Sequence, residues 1–183
     1  MNLTFRDATI LDLPEIVRML ADDFLGGQRE RFEEPLPESY VRAFREIEAD
    51  PNNELIVAVR QAASPVGDVG GAQLKGPDEG DKAHAGGTPA VQSEIVGTMQ
   101  LTFTPSISFQ GGKRATVESV RVDSKYRGQG IGERMMRWVI ERAKEKGCVS
   151  VQLTTNLERT DAHRFYERLG FSRSHLGMKL KLQ

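Results

Sequence analysis

The chain has 183 residues, of which 38% are hydrophobic and 28% are charged, and its formal net charge is −1. This length suffices for one domain whose core needs no disulfide or metal, and the small net charge gives no overall attraction to nucleic acid or to an anionic membrane. The single cysteine, Cys148, excludes an internal disulfide framework and a cysteine-rich zinc site. It begins an apolar strand pattern, which indicates a buried, unreactive thiol.

The N-terminal region predicts one strand followed by a helix. Residues 3–8 form the predicted strand, and Asp12-Leu13-Pro14 indicates a helix start because proline is tolerated in the first turn. Ile16, Leu20 and Phe24 recur every four residues and define the buried side of this helix. The segment lacks the basic and apolar regions of a signal peptide, so we expect a cytoplasmic protein.

A long polar insert separates two predicted strands in the next part of the chain. A second helix is predicted over residues 37–49, and an apolar run predicts a strand at residues 55–59. Residues 61–93 consist mainly of Gly, Ala, Pro, Asp and Ser without periodicity, which predicts a flexible excursion within a hairpin. A phosphate-binding role for these glycines is the alternative, but no helix start follows them. Residues 94–103 predict the returning strand.

The C-terminal half alternates between strand and helix patterns. A turn-rich stretch at residues 105–113 leads to a strand at 115–123, a glycine loop and an amphipathic helix at 133–146. Gly147 follows this helix, as glycine commonly does at the residue after a helix end. The remaining predicted elements are a strand at 149–154, a short helix capped by Thr160 or Asp161, and a closing strand at 178–182.

This order of elements predicts a mixed α/β or α+β domain. The late strand–helix–strand unit supplies a parallel strand pair, and the earlier strands follow one another as hairpins. We therefore expect a single domain over residues 1–183, interrupted by the glycine-rich insert at about 61–93.

The glycine loop is Arg127-Gly128-Gln129-Gly130-Ile131-Gly132, between the strand at 115–123 and the following helix. Glycines without a Cβ let an anion approach the backbone, and the helix adds the positive end of its dipole. The junction is a candidate diphosphate site. A P-loop is excluded because no Lys-Ser/Thr follows the loop, and a dinucleotide site is disfavoured because Gly132 comes one position early. A plain turn does not require three alternating glycines.

Two motifs identify a family resemblance. Arg127, Gly130 and Gly132 match Arg-x-x-Gly-x-Gly, and residues 162–171 match Ala-x-x-Phe-Tyr-x-x-x-Gly-Phe. In this order and spacing they resemble the GNAT superfamily of acetyl-CoA-dependent N-acetyltransferases. The resemblance implies a GNAT-like fold with a central mixed, mostly antiparallel sheet, a late βαβ unit and flanking helices. It also implies acetyl-CoA as cosubstrate and no metal.

The resemblance implies which residues hold the cofactor. Backbone amides of the loop would bind the pyrophosphate, and a bulged strand would pair with the pantetheine arm and polarise the thioester carbonyl. An asparagine commonly bonds the cofactor amide three residues before the alanine of the second motif, where this chain has Arg159; Asn156 stands three residues further back, so either could make the contact. The implied cofactor-binding residues are Val120, Arg121, Val122, Arg127, Gly128, Gln129, Gly130, Ile131, Gly132, Asn156 and Arg159.

Two residues are candidates for acid–base catalysis. Tyr166 matches the family tyrosine that protonates the departing thiolate, with a core tyrosine as the alternative. Glu118 is the candidate base for the substrate ammonium, acting directly or through water, with a solvated carboxylate as the alternative.

The predicted function is direct acetyl transfer from acetyl-CoA to a primary amine in a ternary complex. The alternative is a non-catalytic acyl-CoA-binding sensor or regulatory module. The acceptor is expected to be a small-molecule or peptide amine, without nucleic acid or membrane as partner, and a homodimer is left open.

Overall fold

Five strands form a single sheet in the computed structural model, which describes residues 2–22, 24–61 and 93–182. The predicted insert therefore lies almost entirely outside the described residues. The strands, in spatial as in chain order, are β1 (Leu3–Asp7), β2 (Asn53–Gln61), β3 (Ser93–Thr104), β4 (Lys113–Val122) and β5 (Cys148–Leu153). All neighbours are antiparallel except β4 and β5, which are parallel. This confirms the predicted mixed sheet with a late βαβ unit.

The longer helices lie where the apolar periodicity predicts them, and the described residues also contain two short helical turns, at Phe24–Gly27 and Ser108–Gly111, and two 3-10 turns, at Ile10–Asp12 and Ser124–Tyr126. The helical elements are α1 (Leu13–Ala21), α2 (Phe24–Gly27), α3 (Glu38–Ala49), α4 (Ser108–Gly111), α5 (Ile131–Glu145) and α6 (Thr160–Arg168). The prediction that Phe24 continues the buried side of α1 is wrong, because its side chain is 77% exposed. The helix ends at Ala21, since Asp22 has a non-helical ψ of 36° and bonds to Arg127 instead.

The core lies mainly between α5 and one face of the sheet. Met135, Met136 and Val139 of α5 are fully buried against Met99 and Leu101 of β3. Burying each such side chain stabilises the fold by about 1.5–3 kcal/mol. On the opposite face, α1 and α3 pack on β2 through two smaller clusters. The buried residues of these clusters are Leu13, Val17, Phe44, Ile16, Val57 and Val59.

Close contact between α5 and the sheet depends on Gly97 of β3. A Cβ built on this residue would lie 2.8 Å from the sulfur of Met135 and 2.9 Å from the carbonyl oxygen of Arg121. Any side chain here would force α5 away from the strand that leads into the glycine loop. The small size of Gly97 thereby sets how closely α5, which follows the glycine loop, packs on the sheet.

The predicted closing strand at residues 178–182 is not present. This segment has no regular secondary structure, and Met178, Leu180 and Leu182 are at least 84% exposed. An alternating pattern gives a strand only where a neighbouring strand takes up its backbone groups, and no strand within residues 2–22, 24–61 and 93–182 pairs with this segment. The correction leaves β5 as an edge of the sheet among the described residues.

No helix among the described residues has the length and apolar character needed to cross a membrane. Nor do three or more His, Cys, Asp or Glu side chains among them come together in a way that could hold a metal ion.

Candidate functional site

A bulge interrupts β4 next to the glycine loop. Thr98 and Gln100 of β3 pair with Arg121 and Glu118 of β4, so two steps on one strand face three on the other. Ser119 occupies the bulge with a φ of 54°, a left-handed conformation that costs a non-glycine residue about 1–2 kcal/mol. The bulge turns the end of β4 relative to its neighbours. The structure thus has the bulged strand that the resemblance implies.

A cleft opens where β4 and β5 separate. Their parallel pairing ends at Val117 and Leu153, so residues 118–122 of β4 lie beyond the part of the strand that pairs with β5. The cleft encloses about 420 Å³ between the end of β4 and the start of α6. It is lined by Val120, Arg121, Val122, Arg127, Glu158, Arg159, Thr160, Asp161 and Ala162. Backbone groups beyond that pairing, on one wall, can bond an extended ligand as a further strand would.

The three glycines of the loop have two different functions. Gly128 and Gly130 have φ values of 77° and 75°, which favour glycine, and a Cβ on either would meet no atom within 4 Å. Their surroundings are therefore open to a ligand. At Gly132 a Cβ would lie 3.4 Å from the ring of Phe165, so this glycine allows α5 and α6 to approach.

The N-terminus of α5 faces the same open region. Gly130 is the residue before the helix, and the amide of Arg134 is the first to bond back, to the Gly130 carbonyl oxygen at 3.2 Å. The first N–H groups of a helix have no partner within it, and the dipole of this 15-residue helix adds positive potential at its start. The loop and helix together suit a diphosphate.

Two acidic residues hold the loop in place, and sequence reasoning missed both. The Arg127 guanidinium donates to the carbonyl oxygen of Val122 and to the carboxylate of Asp22 at the end of α1, each at 3.2 Å. Asp123 is 2% exposed, accepts the amide of Lys125 at 2.8 Å and forms an ion pair with Arg18 of α1. Asp123 is separated from Arg18 by more than a hundred positions, so no local pattern could indicate the contact.

Replacing Asp123 should destabilise the protein in a pH-dependent way. Burial alone would raise the pKa of this carboxyl, but hydrogen bonds from Lys125 and Arg18 outweigh burial and lower it below 3.8. A lowered pKa in the folded state stabilises the protein above the unfolded pKa, and this contribution is lost as pH falls through the folded value. We expect Asp123→Asn to cost about 2 kcal/mol, measured by thermal unfolding at neutral pH.

The exposed partner of the same arginine is the matched control. Glu15 pairs with Arg18 one helical turn away, and its side chain is 37% exposed. Glu15→Gln should cost less than about 0.5 kcal/mol. The difference in free energy of unfolding between wild type and Asp123→Asn should shrink as pH is lowered from about 7 to about 3. An equal loss of stability in Asp123→Asn and Glu15→Gln, or a loss in Asp123→Asn that does not change with pH, would contradict the stabilising role of the Asp123 carboxylate.

Tyr166 lies on the α5 side of the sheet, half-buried between two other rings. Its ring centroid is 5.0 Å from that of Phe165 and 5.8 Å from that of Phe171, both in edge-to-face arrangements. Burial raises the pKa of the phenol, while the positive charges of Arg121 and Arg159 oppose the rise. Among the described residues the hydroxyl forms no hydrogen bond. A protonated phenol beside two cleft-lining arginines is available to a ligand.

Arg159 and Asn156 are placed differently. Arg159 precedes α6 and lines the cleft. Asn156 is exposed and is not part of the lining; its side-chain oxygen accepts the amide of Glu158 at 2.9 Å. Of the two candidates for the cofactor amide, Arg159 is therefore the one at the cleft.

Glu118 lies on the other face of the sheet from Tyr166. Its partner in register, Gln100, pairs in turn with Leu55, which packs against the cluster formed by α1 and α3. The carboxylate is exposed, immediately before the bulge. The candidate acid and the candidate base thus approach the end of β4 from opposite faces. This arrangement suits a reaction in which one group attacks from one side and another departs on the other.

Comparison with known proteins adds a family match and several relatives. The model of the Acetyltransferase (GNAT) family matches residues 78–171, just over half of the chain. An aminoalkylphosphonate N-acetyltransferase of Salmonella typhimurium is 47% identical over 49 residues, which is 27% of this chain and 32% of that protein. A glucosamine 6-phosphate N-acetyltransferase of Trypanosoma brucei brucei is 34% identical over 88 residues, or 48% of this chain and 58% of that protein. The chain spans less than two thirds of either relative.

Among the solved structures that match the chain over nearly its full length, one also has substantial sequence identity. It is described as a transcriptional regulator from Bacillus halodurans C-125, and it has 49% sequence identity and a TM-score of 0.78. The match covers 99% of this chain and 100% of that chain. The described elements therefore have a closely similar counterpart in an experimental structure.

Proposed function

Because this chain belongs to the acetyltransferase (GNAT) family, we propose that it is a single-domain enzyme that transfers an acetyl group from acetyl-CoA directly to a primary amine. One observation carries the proposal: the cleft reaches Arg127, the first residue of the glycine loop that precedes α5, and two of its lining residues, Arg121 and Arg159, lie close enough to Tyr166 to affect the pKa of its phenol. The loop amides from Arg127 to Gly132 would hold the diphosphate. The backbone of Val120, Arg121 and Val122, which lies beyond the end of the β4–β5 pairing, would hold the pantetheine arm, and an N–H there would polarise the thioester carbonyl.

Two titratable side chains, Glu118 and Tyr166, would transfer the protons in this reaction. The substrate ammonium loses a proton to Glu118, directly or through water, and the free amine attacks the thioester carbon. A carbon–nitrogen bond forms and the carbon–sulfur bond breaks. Tyr166 donates its proton to the departing thiolate, which yields CoA with a free thiol. The product nitrogen releases its second proton as the neutral amide forms, and through water this proton restores the phenol of Tyr166. Because burial raises the pKa of Tyr166, the phenol stays protonated at neutral pH and can act as the donor.

The acceptor class is proposed from the relatives. The names of the two enzymes above describe amines that are small and carry a phosphonate or a phosphate. We infer a small polar amine as acceptor for this chain. It would reach the thioester from the side of Glu118, since the cleft on the α5 side would hold the pantetheine.

The test is acetyl-CoA turnover with a panel of amines, measured as release of the CoA thiol. The panel contains amino sugars, aminoalkylphosphonates, polyamines and a lysine peptide, and each amine is assayed with wild type and with Glu118→Gln. At least one amine should be acetylated, and Glu118→Gln should lower its kcat by about 10²-fold at neutral pH, with a smaller deficit at alkaline pH, where the amine is already deprotonated. Turnover unaffected by the variant would remove Glu118 as the base.

A regulatory module that binds acyl-CoA without turnover is the second candidate. The name of the relative with 49% identity, a transcriptional regulator, favours it. Such a module needs the glycine loop but neither Glu118 nor Tyr166. Tight CoA binding by calorimetry, together with no acetylation of any amine in the panel, would support this candidate over the enzyme.

A further inference from the structure

The sheet face opposite α5 is covered by helices over only part of its width. There α1 and α3 pack on Val57 and Val59 of β2. α1 also contacts β3 and β4. Beyond Thr98 of β3, no helix among the described residues shares a buried cluster with β3, β4 or β5 on this face. From Gln100 and Glu118 onward the paired residues carry polar side chains on this part of the face, which we call the polar sheet face.

Two rows of this face extend from Glu118. The first row is Gln100 beside Glu118, at the bulge. The second row is Thr102, Thr116 and Gln152, in which the Gln152 amide donates to the Thr116 hydroxyl at 3.0 Å. These side chains offer hydroxyl and amide groups to a polar molecule laid along β4. A carboxylate at the bulge end suits the ammonium of an amine.

Arg114 occupies the third row, between the hydroxyls of Thr104 and Ser150. Arg114 is half-buried, and its Nε atom is buried without a hydrogen bond among the described residues. Within the described part of the chain, no ion pair or hydrogen bond of this guanidinium is found. The comparably half-buried Arg142, by contrast, is bidentate to Glu54 at 2.6 and 2.9 Å.

An unpartnered, half-buried guanidinium suits an external anion. Desolvating a charge is unfavourable unless it gains a partner, and the planar fork of arginine matches the oxygens of phosphate, phosphonate or carboxylate. The flanking hydroxyls would supply further donors. Glu118 and Arg114 are four residues apart on one strand, or about 13 Å between backbones. Side chains that lean toward each other would leave room for a sugar-sized body between the charges.

We propose that the polar sheet face binds the acceptor, and that Arg114 selects amines bearing an anionic group at the end remote from the amine. The inference rests on the proposed function, since it takes Glu118 to mark the amine end. It predicts a preference for an amino sugar phosphate over the unphosphorylated amino sugar. It also predicts that an amino sugar phosphate is preferred to a short aminoalkylphosphonate, whose two charges are too close together to reach Glu118 and Arg114 at once.

The experiment compares glucosamine 6-phosphate, glucosamine and 2-aminoethylphosphonate as probes, with wild type, Arg114→Gln and Arg45→Gln. Arg45 is an exposed residue of α3 paired with Glu48, and it serves as the matched control. We expect Arg114→Gln to raise KM for glucosamine 6-phosphate at least about tenfold, as loss of a charge-assisted contact would, with kcat and the KM for glucosamine within about twofold. The control should resemble wild type.

Binding of the same probes to the CoA-loaded protein, measured by calorimetry, separates this inference from the proposed function. Binding of glucosamine 6-phosphate that depends on Arg114 would support the anion site even if no probe were acetylated, and the missing turnover would then count against the proposed function alone. Equal wild-type affinity for the phosphorylated and unphosphorylated sugar would overturn the role of Arg114. An equal rise in KM for both sugars in Arg114→Gln would overturn it too, because it would indicate a structural effect.

Discussion

Gly130→Asp is expected to weaken CoA binding by about 100-fold or more, with little loss of fold. Gly130 has a φ of 75°, and a Cβ built on it meets no described atom within 4 Å, so the left-handed conformation is the main cost of the new side chain, about 1–2 kcal/mol. Its carboxylate would instead lie where the diphosphate binds. The carboxylate would repel the negative diphosphate and so oppose the attraction of the loop amides and the helix dipole. A hundredfold rise in the CoA dissociation constant corresponds to about 2.7 kcal/mol. Calorimetric titration with CoA is the measurement.

The chain offers a matched control at the other end of α5. Gly147 has a φ of 70°, and a Cβ there also meets nothing within 4 Å. Gly147→Asp therefore imposes the same strain about 20 Å from the loop, and CoA affinity should stay within twofold. Gly130→Asn, which has the same shape without the charge, should lose less affinity than Gly130→Asp. Undiminished CoA binding by Gly130→Asp would show that the loop does not hold the diphosphate.

Tyr166→Phe is expected to lower kcat by about 10²-fold while CoA affinity stays within about twofold. The substitution keeps the ring between Phe165 and Phe171 and removes only a hydroxyl that has no hydrogen bond to the described residues. Stability should therefore change little. The loss falls on the step in which the thiolate leaves, because the donor of its proton is gone. Steady-state kinetics on an acetylated amine, with separate CoA titration, distinguish the two effects.

The pH profile adds a second readout for Tyr166. Burial raises the pKa of this phenol above 10, so its proton is present throughout the neutral range and is lost only at higher pH. The wild-type rate should not fall on the alkaline side below about pH 10 through this group, and the deficit of Tyr166→Phe should be constant from about pH 7 to 9. Tyr40→Phe, on α3, is the control and should keep the wild-type kcat. Equal kcat for Tyr166→Phe and wild type would exclude the role of proton donor.

Local sequence patterns predicted an element best where all the residues that determine it lie close together in the chain. The apolar stripe of α5, the glycines at its start and Gly147 after its end lie close together in sequence, and the helix appears there. The prediction failed for Phe24 and for the closing strand at 178–182. In both cases the apolar spacing fitted the predicted element, but the part of the chain that the structure describes supplies no packing partner to bury Phe24 and no strand to pair with 178–182.

The sequence by itself determined the glycine loop and the parallel strand pair, because backbone conformation and side-chain periodicity act over a few residues. The family was indicated by the resemblance of two motifs, at residues 127–132 and 162–171. Only the tertiary structure decided how the loop is held, since the contacts of Asp123 with Arg18 and of Arg127 with Asp22 join positions far apart in the chain. Only the structure placed Glu118 and Tyr166 on opposite faces and Arg114 among polar neighbours. Strand register and helix coverage decide which residues share a face, and both depend on long-range packing.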